Sequence, residues 1–175
     1  MNKLVFLALA VITNSTYALD LEDNVKNFEK SGDWASFSLA DSYFGRIVAT
    51  RATTEDKRTN TSLALTYPTS NKCQLTPIDI IVKLETPQKE ESSRKIFGNI
   101  QVDNNTVKQV EATLQNEEDS EFIFITIDKK GIDKEFKEAK SFMVNFKGYG
   151  VMDFSLNGAK SAIDNALSSC SKFSF

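Results

Sequence analysis

Lys95-Ile96-Phe97-Gly98-Asn99-Ile100-Gln101-Val102 is followed by Asp103-Asn104-Asn105 and then by Thr106-Val107-Lys108-Gln109-Val110-Glu111-Ala112-Thr113-Leu114. The two flanking runs alternate apolar and polar residues. A period of two places every second side chain on one face of an extended strand. Asn tolerates the left-handed backbone that a tight turn demands, so the three middle residues read as the turn of a β-hairpin. This stretch makes an antiparallel sheet the frame for the rest of the chain.

Toward the C-terminus, residues 116–121 form a polar turn. Phe122, Ile123, Phe124, Ile125, Thr126 and Ile127 are nearly all apolar or β-branched, the pattern of a central strand buried on both faces. Ile132, Phe136 and Ala139 lie at i, i+4 and i+7, which predicts a short helix within residues 131–140. Phe142, Val144 and Phe146 alternate in a further strand. Gly148 and Gly150 flank a turn, and residues 151–156 form the last strand.

Toward the N-terminus, Ile80, Val82 and Leu84 alternate, as do Leu63, Leu65 and Tyr67, which Pro68 ends. Residues 87–95 and 54–61 read as charged loops. Strands are expected over residues 43–53, with Phe44, Ile47 and Val48 as apolar members, and over residues 34–39. Leu21, Val25 and Phe28, at i, i+4 and i+7, predict a short N-terminal helix stopped by Ser31-Gly32. The expected fold is mainly β: an antiparallel β-sandwich or barrel-like sheet with a short N-terminal helix and a C-terminal amphipathic helix.

Residues 1–18 have the form of a secretory signal peptide. Lys3 gives the positive start, Leu4 to Ile12 is an unbroken apolar run, and Thr16 and Ala18 are small residues suited to cleavage after Ala18. The run is too short for a bilayer core that takes roughly 20 residues to cross, and no transmembrane span is expected after its removal. The division is therefore 1–18 signal and 19–175 one β-rich domain, periplasmic or secreted from a bacterium.

The two cysteines are Cys73 and Cys170. Asn157 is a good N-cap for a final helix. Ala159, Ala162, Ile163, Ala166 and Leu167 form its apolar face, and Cys170 continues that series. In an oxidising compartment an even pair of this kind cross-links. The alternative is two separately buried thiols.

Candidate chemistry is sparse. The chain has no His, which removes Ser-His-Asp and Cys-His mechanisms and the commonest zinc ligand. No catalytic, cofactor-binding or metal-binding residue is assigned, and no cofactor is expected. Ser92 and Lys95 have an S-x-x-K spacing, but without the further motifs that accompany it in penicillin-recognising enzymes. Glu117, Glu118 and Asp119 sit in a turn, where solvation accounts for them. The net charge of −3 becomes one unit more negative without Lys3, a balance that argues against nucleic acid as partner. The closing Phe173-Ser174-Phe175 is similar to the terminal signal of outer-membrane barrels, but a helix and a cysteine precede it where a barrel strand belongs.

The string Asp153-Phe154-Ser155-Leu156-Asn157-Gly158-Ala159-Lys160-Ser161-Ala162-Ile163, followed by Cys170, resembles the close of two groups of exported proteobacterial proteins: the invasion-associated locus B family and the type VI secretion-associated VasI/TagO-like proteins. Ile100-Gln101-Val102-Asp103 is similar to their strand and turn upstream. The resemblance implies an exported β-sandwich without enzymatic activity, its last helix anchored by a disulfide. The expected function is that of a non-enzymatic periplasmic or secreted protein-binding factor, acting as inhibitor, immunity protein or secretion accessory. The alternatives are a carboxylate-dependent cell-wall hydrolase and a carrier of small apolar ligands.

Overall fold

In the computed structural model, which describes residues 24–174, ten antiparallel strands form one sheet. They are β1 (Val25–Ser31), β2 (Trp34–Ala40), β3 (Ile47–Asp56), β4 (Thr61–Pro68), β5 (Ile78–Gln88), β6 (Ser92–Val102), β7 (Lys108–Asn116), β8 (Ser120–Ile127), β9 (Ser141–Phe146) and β10 (Gly150–Ser155). Helix α1 (Ile132–Glu138) links β8 to β9, and α2 (Ala159–Ser171) follows β10. The order across the sheet is β1-β2-β3-β4-β5-β8-β7-β6-β9-β10. Strands β6, β7 and β8 are consecutive neighbours and β5 lies beside β8, a Greek-key arrangement.

The hairpin of β6 and β7 runs from Ile100↔Lys108 to Ser92↔Asn116. Its left-handed residue is Asp103, at φ 51°, and not either Asn. Asp103 is held there by use: its carboxylate accepts the backbone N–H groups of Lys140 and Ser141 at 2.7 and 2.9 Å. Two expected loops prove largely to be strand. β5 runs on through Pro87 and β6 begins at Ser92, leaving residues 89–91 as the connection. Likewise β3 reaches Asp56 and β4 starts at Thr61.

The short N-terminal helix expected from Leu21, Val25 and Phe28 is corrected. From Val25 to Ser31 the chain is strand β1, paired with β2 from Val25↔Leu39 to Ser31↔Trp34. Val25 packs against Phe37 and Leu39 on the face opposite the main core, whereas Phe28 is half exposed. The helical spacing was accidental to a polar edge strand. Leu21 and the expected signal segment 1–18 lie outside the described residues.

The sheet has two unlike faces. The inner face carries Leu63, Leu65, Ile80, Ile125, Leu114, Ile100, Val144 and Phe154, and both helices pack onto it. Phe136 of α1 meets Trp34 and Phe142 at ring-centroid distances of 6.3 and 4.7 Å, geometry that favours aromatic pairs. The β8 residues expected to be buried on both faces alternate instead: Ile123, Ile125 and Ile127 are buried inward, and Phe122, Phe124 and Thr126 are half-buried outward.

The inner face curls until its last strand nears its second and third. The Asp153 N–H on β10 donates to Asp56 on β3 at 3.0 Å, and the Trp34 indole N–H on β2 donates to the Ser155 carbonyl at 2.8 Å. These are cross-links and not a ladder; the sheet is not closed. Gly158, not Asn157, occupies the N-cap of α2, with φ 91° and no side-chain cap. A Cβ there would stand 1.8 Å from the Ser31 carbonyl oxygen, so only glycine allows this approach.

Candidate interaction surface

Cys73 and Cys170 are disulfide-bonded, their Cα atoms 5.9 Å apart, within the range such a bond requires. Cys73 follows the short turn Thr69–Asn71, and its own φ is 57°. Cys170 is on the buried face of α2 with Ala159, Ala162, Ile163 and Ala166. The bond ties the β4–β5 connection to the last turn of the closing helix.

The residues weighed as possible chemistry are not brought together. Ser92 bonds the Asn116 side chain, while Lys95 pairs with Glu111 at 2.8 Å. Three apart on a strand, Ser92 and Lys95 face opposite sides. Glu117, Glu118 and Asp119 are exposed in their turn. Among the described residues no three Cys, Asp or Glu side chains gather as metal ligands. Two clefts, one beside Asn165 and Glu29 and one beside Lys129 and Glu135, hold about 20 Å³ each. That is room for one water, against the roughly 300 Å³ of a small-ligand site.

The charged loops are partly folded onto themselves. Arg58 donates through Nε and its terminal nitrogen to both carboxylate oxygens of Asp56, at 3.2 Å each. Burial pushes the Asp56 carboxyl up, but the donors from Asp153 and Arg58 outweigh it and hold the group below its ordinary range. This cluster braces the approach of β10 to β3.

The β2–β3 turn is different. Asp41 accepts the Tyr43 and Phe44 backbone N–H groups on its side chain and the Gly45 N–H on its carbonyl, and its own N–H donates to the Arg46 carbonyl. Gly45 supplies the left-handed residue, at φ 64°. A side chain bonding its own following backbone fixes such a turn. The rings of Tyr43 and Phe44 are thereby held outward, 72% and 75% exposed. The Arg46 guanidinium sits 5.1 Å above the Phe44 ring, a cation–π distance. Val48, 41% exposed, adds an apolar side chain at the base. The aromatic residues had suggested the start of a strand; the missed signal is Asp41 followed by Gly45, a turn signature around them.

The outer face of the sheet holds two charges missed at the level of sequence, Arg51 on β3 and Asp79 on β5, both buried. Arg51 Nε donates to the Thr66 hydroxyl at 3.0 Å, and the Thr126 hydroxyl donates to Asp79 at 2.8 Å. Burial pushes the Asp79 carboxyl up, against the Thr126 hydroxyl and the Arg51 charge. Burial brings Arg51 down to about 10, with Asp79 opposing. Each charge thus relieves part of the other's desolvation.

No family model matches this chain, and no curated protein matches it either. Among solved structures it is similar to the invasion associated protein B of Bartonella henselae, at 12% identity and a TM-score of 0.42, over 84% of this chain and 99% of that one. A likeness of that size carries no argument about family or activity. No described helix is long and apolar enough to cross a membrane.

Proposed function

We propose that this protein is exported, periplasmic or secreted, and works without catalysis by binding another protein through the β2–β3 tip. The observation that carries the reading is the pair of exposed rings, Tyr43 and Phe44, on a turn locked by Asp41 and backed by Arg46. Tyr and Arg dominate the energetic centres of protein interfaces, and aromatic rings are enriched there. Covering a Phe side chain of this kind is worth about 1.5–3 kcal/mol. A turn already held in place loses little freedom on binding, so more of that gain survives as affinity. Export is supported by the bonded cysteine pair, since such bonds persist in oxidising compartments. The scaffold reading is a barrel-like sheet, supported by the donation from Asp153 to Asp56 across the curl. Kinship with the invasion-associated locus B or VasI/TagO-like proteins belongs to the same proposal and rests on Asp153 to Ile163 with Cys170.

The test compares the wild-type protein with a Tyr43→Ala/Phe44→Ala variant as bait in periplasmic extract, followed by affinity measurement on the protein captured. The reading expects a saturable partner whose affinity falls by at least about tenfold in the variant. Equal capture by both baits places the interface elsewhere on the molecule.

A further inference from the structure

Asn157 is the one Asn in the chain that Gly follows. The residue after an Asn matters because its backbone nitrogen is the nucleophile that can close on the Asn side-chain carbonyl. Glycine, lacking a Cβ, hinders that approach least. Asn157 is exposed. With Gly158 it forms the middle of a turn closed by the Ala159 N–H, which donates to the Leu156 carbonyl at 3.0 Å. Gly158, at φ 91° and ψ −4°, holds the third position of a type II turn. Its N–H donates to nothing among the described residues, so no hydrogen bond has to break before that nitrogen attacks.

The surroundings of Asn157 are tight. Its Nδ2 donates to Asp33 Oδ2 at 3.4 Å, its N–H donates to the Ser155 hydroxyl at 3.2 Å, and its carbonyl accepts the Asp33 N–H at 3.0 Å. A Cβ on Gly32 would stand 2.7 Å from the Asn157 carbonyl oxygen, and one on Gly158 would stand 1.8 Å from the Ser31 carbonyl oxygen. The β1–β2 turn and the junction of β10 with α2 therefore touch backbone to backbone, with no slack for a longer main chain.

We propose that Asn157–Gly158 is a site of spontaneous deamidation, and that the reaction releases the start of α2 from the β1–β2 turn. The Gly158 nitrogen gives up its proton and bonds to Asn157 Cγ. The Cγ–Nδ2 bond breaks, and Nδ2 leaves as ammonia, carrying that proton. A succinimide ring remains, which one water opens at either carbonyl. Opening at the side-chain carbonyl gives Asp at 157. Opening at the main-chain carbonyl gives isoaspartate, whose backbone carries one extra methylene. Both products disturb the contact. Asp puts a carboxylate oxygen where a donor had faced Asp33, so an attraction becomes a contact between like charges. Isoaspartate lengthens the chain where Gly158 is pressed against Ser31. The far end of α2 stays bonded to Cys73, so the helix loosens from its start and remains attached. None of this depends on the β2–β3 tip as a binding site.

The experiment incubates the folded, disulfide-bonded protein at mildly alkaline pH, where the amide nitrogen loses its proton more readily, and follows it by peptide mapping, isoaspartate assay and thermal unfolding. The proposal expects Asp and isoaspartate at position 157 to accumulate ahead of acid at every other Asn. Tm should fall in step, and Asn157→Ser should abolish that fall. Asn157→Asp is expected to lower Tm by at least about 2 °C at pH 7, and Asp33→Asn added to it should recover most of the loss. Acid at 157 that forms no faster than elsewhere, its accumulation with an unchanged Tm, or an Asn157→Asp loss that Asp33→Asn leaves in place overturns the proposal.

Discussion

Tyr67 is the one side chain among the described residues with a buried polar atom and no hydrogen-bond partner. Burial pushes its hydroxyl's pKa up, with Asp133 and Asp164 adding to the rise, so the group stays a neutral phenol with an unused donor. An unpaired buried hydroxyl costs what its desolvation costs, and deleting it relieves that cost. Tyr67→Phe is expected to leave stability unchanged or to raise it by up to about 1 kcal/mol in chemical denaturation. A loss of more than about 1 kcal/mol means that the hydroxyl is bonded in solution. Asp103 behaves in the opposite sense. Backbone donors from Lys140 and Ser141 hold its carboxyl below the ordinary range. Its folded pKa is thus depressed, so its contribution is full above the unfolded pKa of about 3.9 and is lost as pH falls through the folded value. Asp103→Asn, which keeps the tolerance for φ 51°, is expected to lower Tm at pH 7. The gap to wild type should close as pH drops below about 4. A gap that persists unchanged at pH 2 to 3 contradicts the charge-assisted role.

Helix α2 shows how elements depend on single positions. Its start requires Gly158 at φ 91° against the Ser31 carbonyl, and at the facing Gly32 a Cβ would stand 2.7 Å from the Asn157 carbonyl oxygen. The Asp33 N–H donates to the Asn157 carbonyl at 3.0 Å, and the Asp33 carboxylate accepts the Ser155 hydroxyl at 2.7 Å. Gly158→Ala combines left-handed strain of about 1–2 kcal/mol with a steric clash, and a loss of at least about 2 kcal/mol is expected from thermal unfolding. A near-neutral result would mean that the junction of β10 and α2 can shift at little cost. Elements with one dry face were legible in the sequence: the β6–β7 hairpin, the alternation of β9, and the apolar series that ends at Cys170. Those without a clear period were not. β1 is a polar edge whose Val25 and Phe28 imitate a helix. β3 is buried on both faces from Ala49 to Thr54, so its alternation vanished and Arg51 passed unnoticed. The β2–β3 tip was hidden for a related reason: Tyr and Phe favour strands, and only the Asp41 hydrogen bonds turn them outward.

At the scale of the molecule, the fold depends on bringing the two ends of a ten-stranded sheet together without a ladder between them. Asp56, Asp153, Trp34 and Ser155 cross-link the curl on one side, while α2 covers the inner face and is pinned at its far end by Cys73. The bond closes a loop of 97 residues, and chain entropy assigns such a loop up to about 4.7 kcal/mol. The helix is therefore a seal, and the covalent bond keeps it seated on a sheet whose last ladder is missing. The direct measurement is the intact mass of the protein purified from its native host, denatured in an alkylating reagent with and without prior reduction. The account predicts no alkylation before reduction and two alkylated thiols after it. Two alkylated thiols without reduction would contradict it.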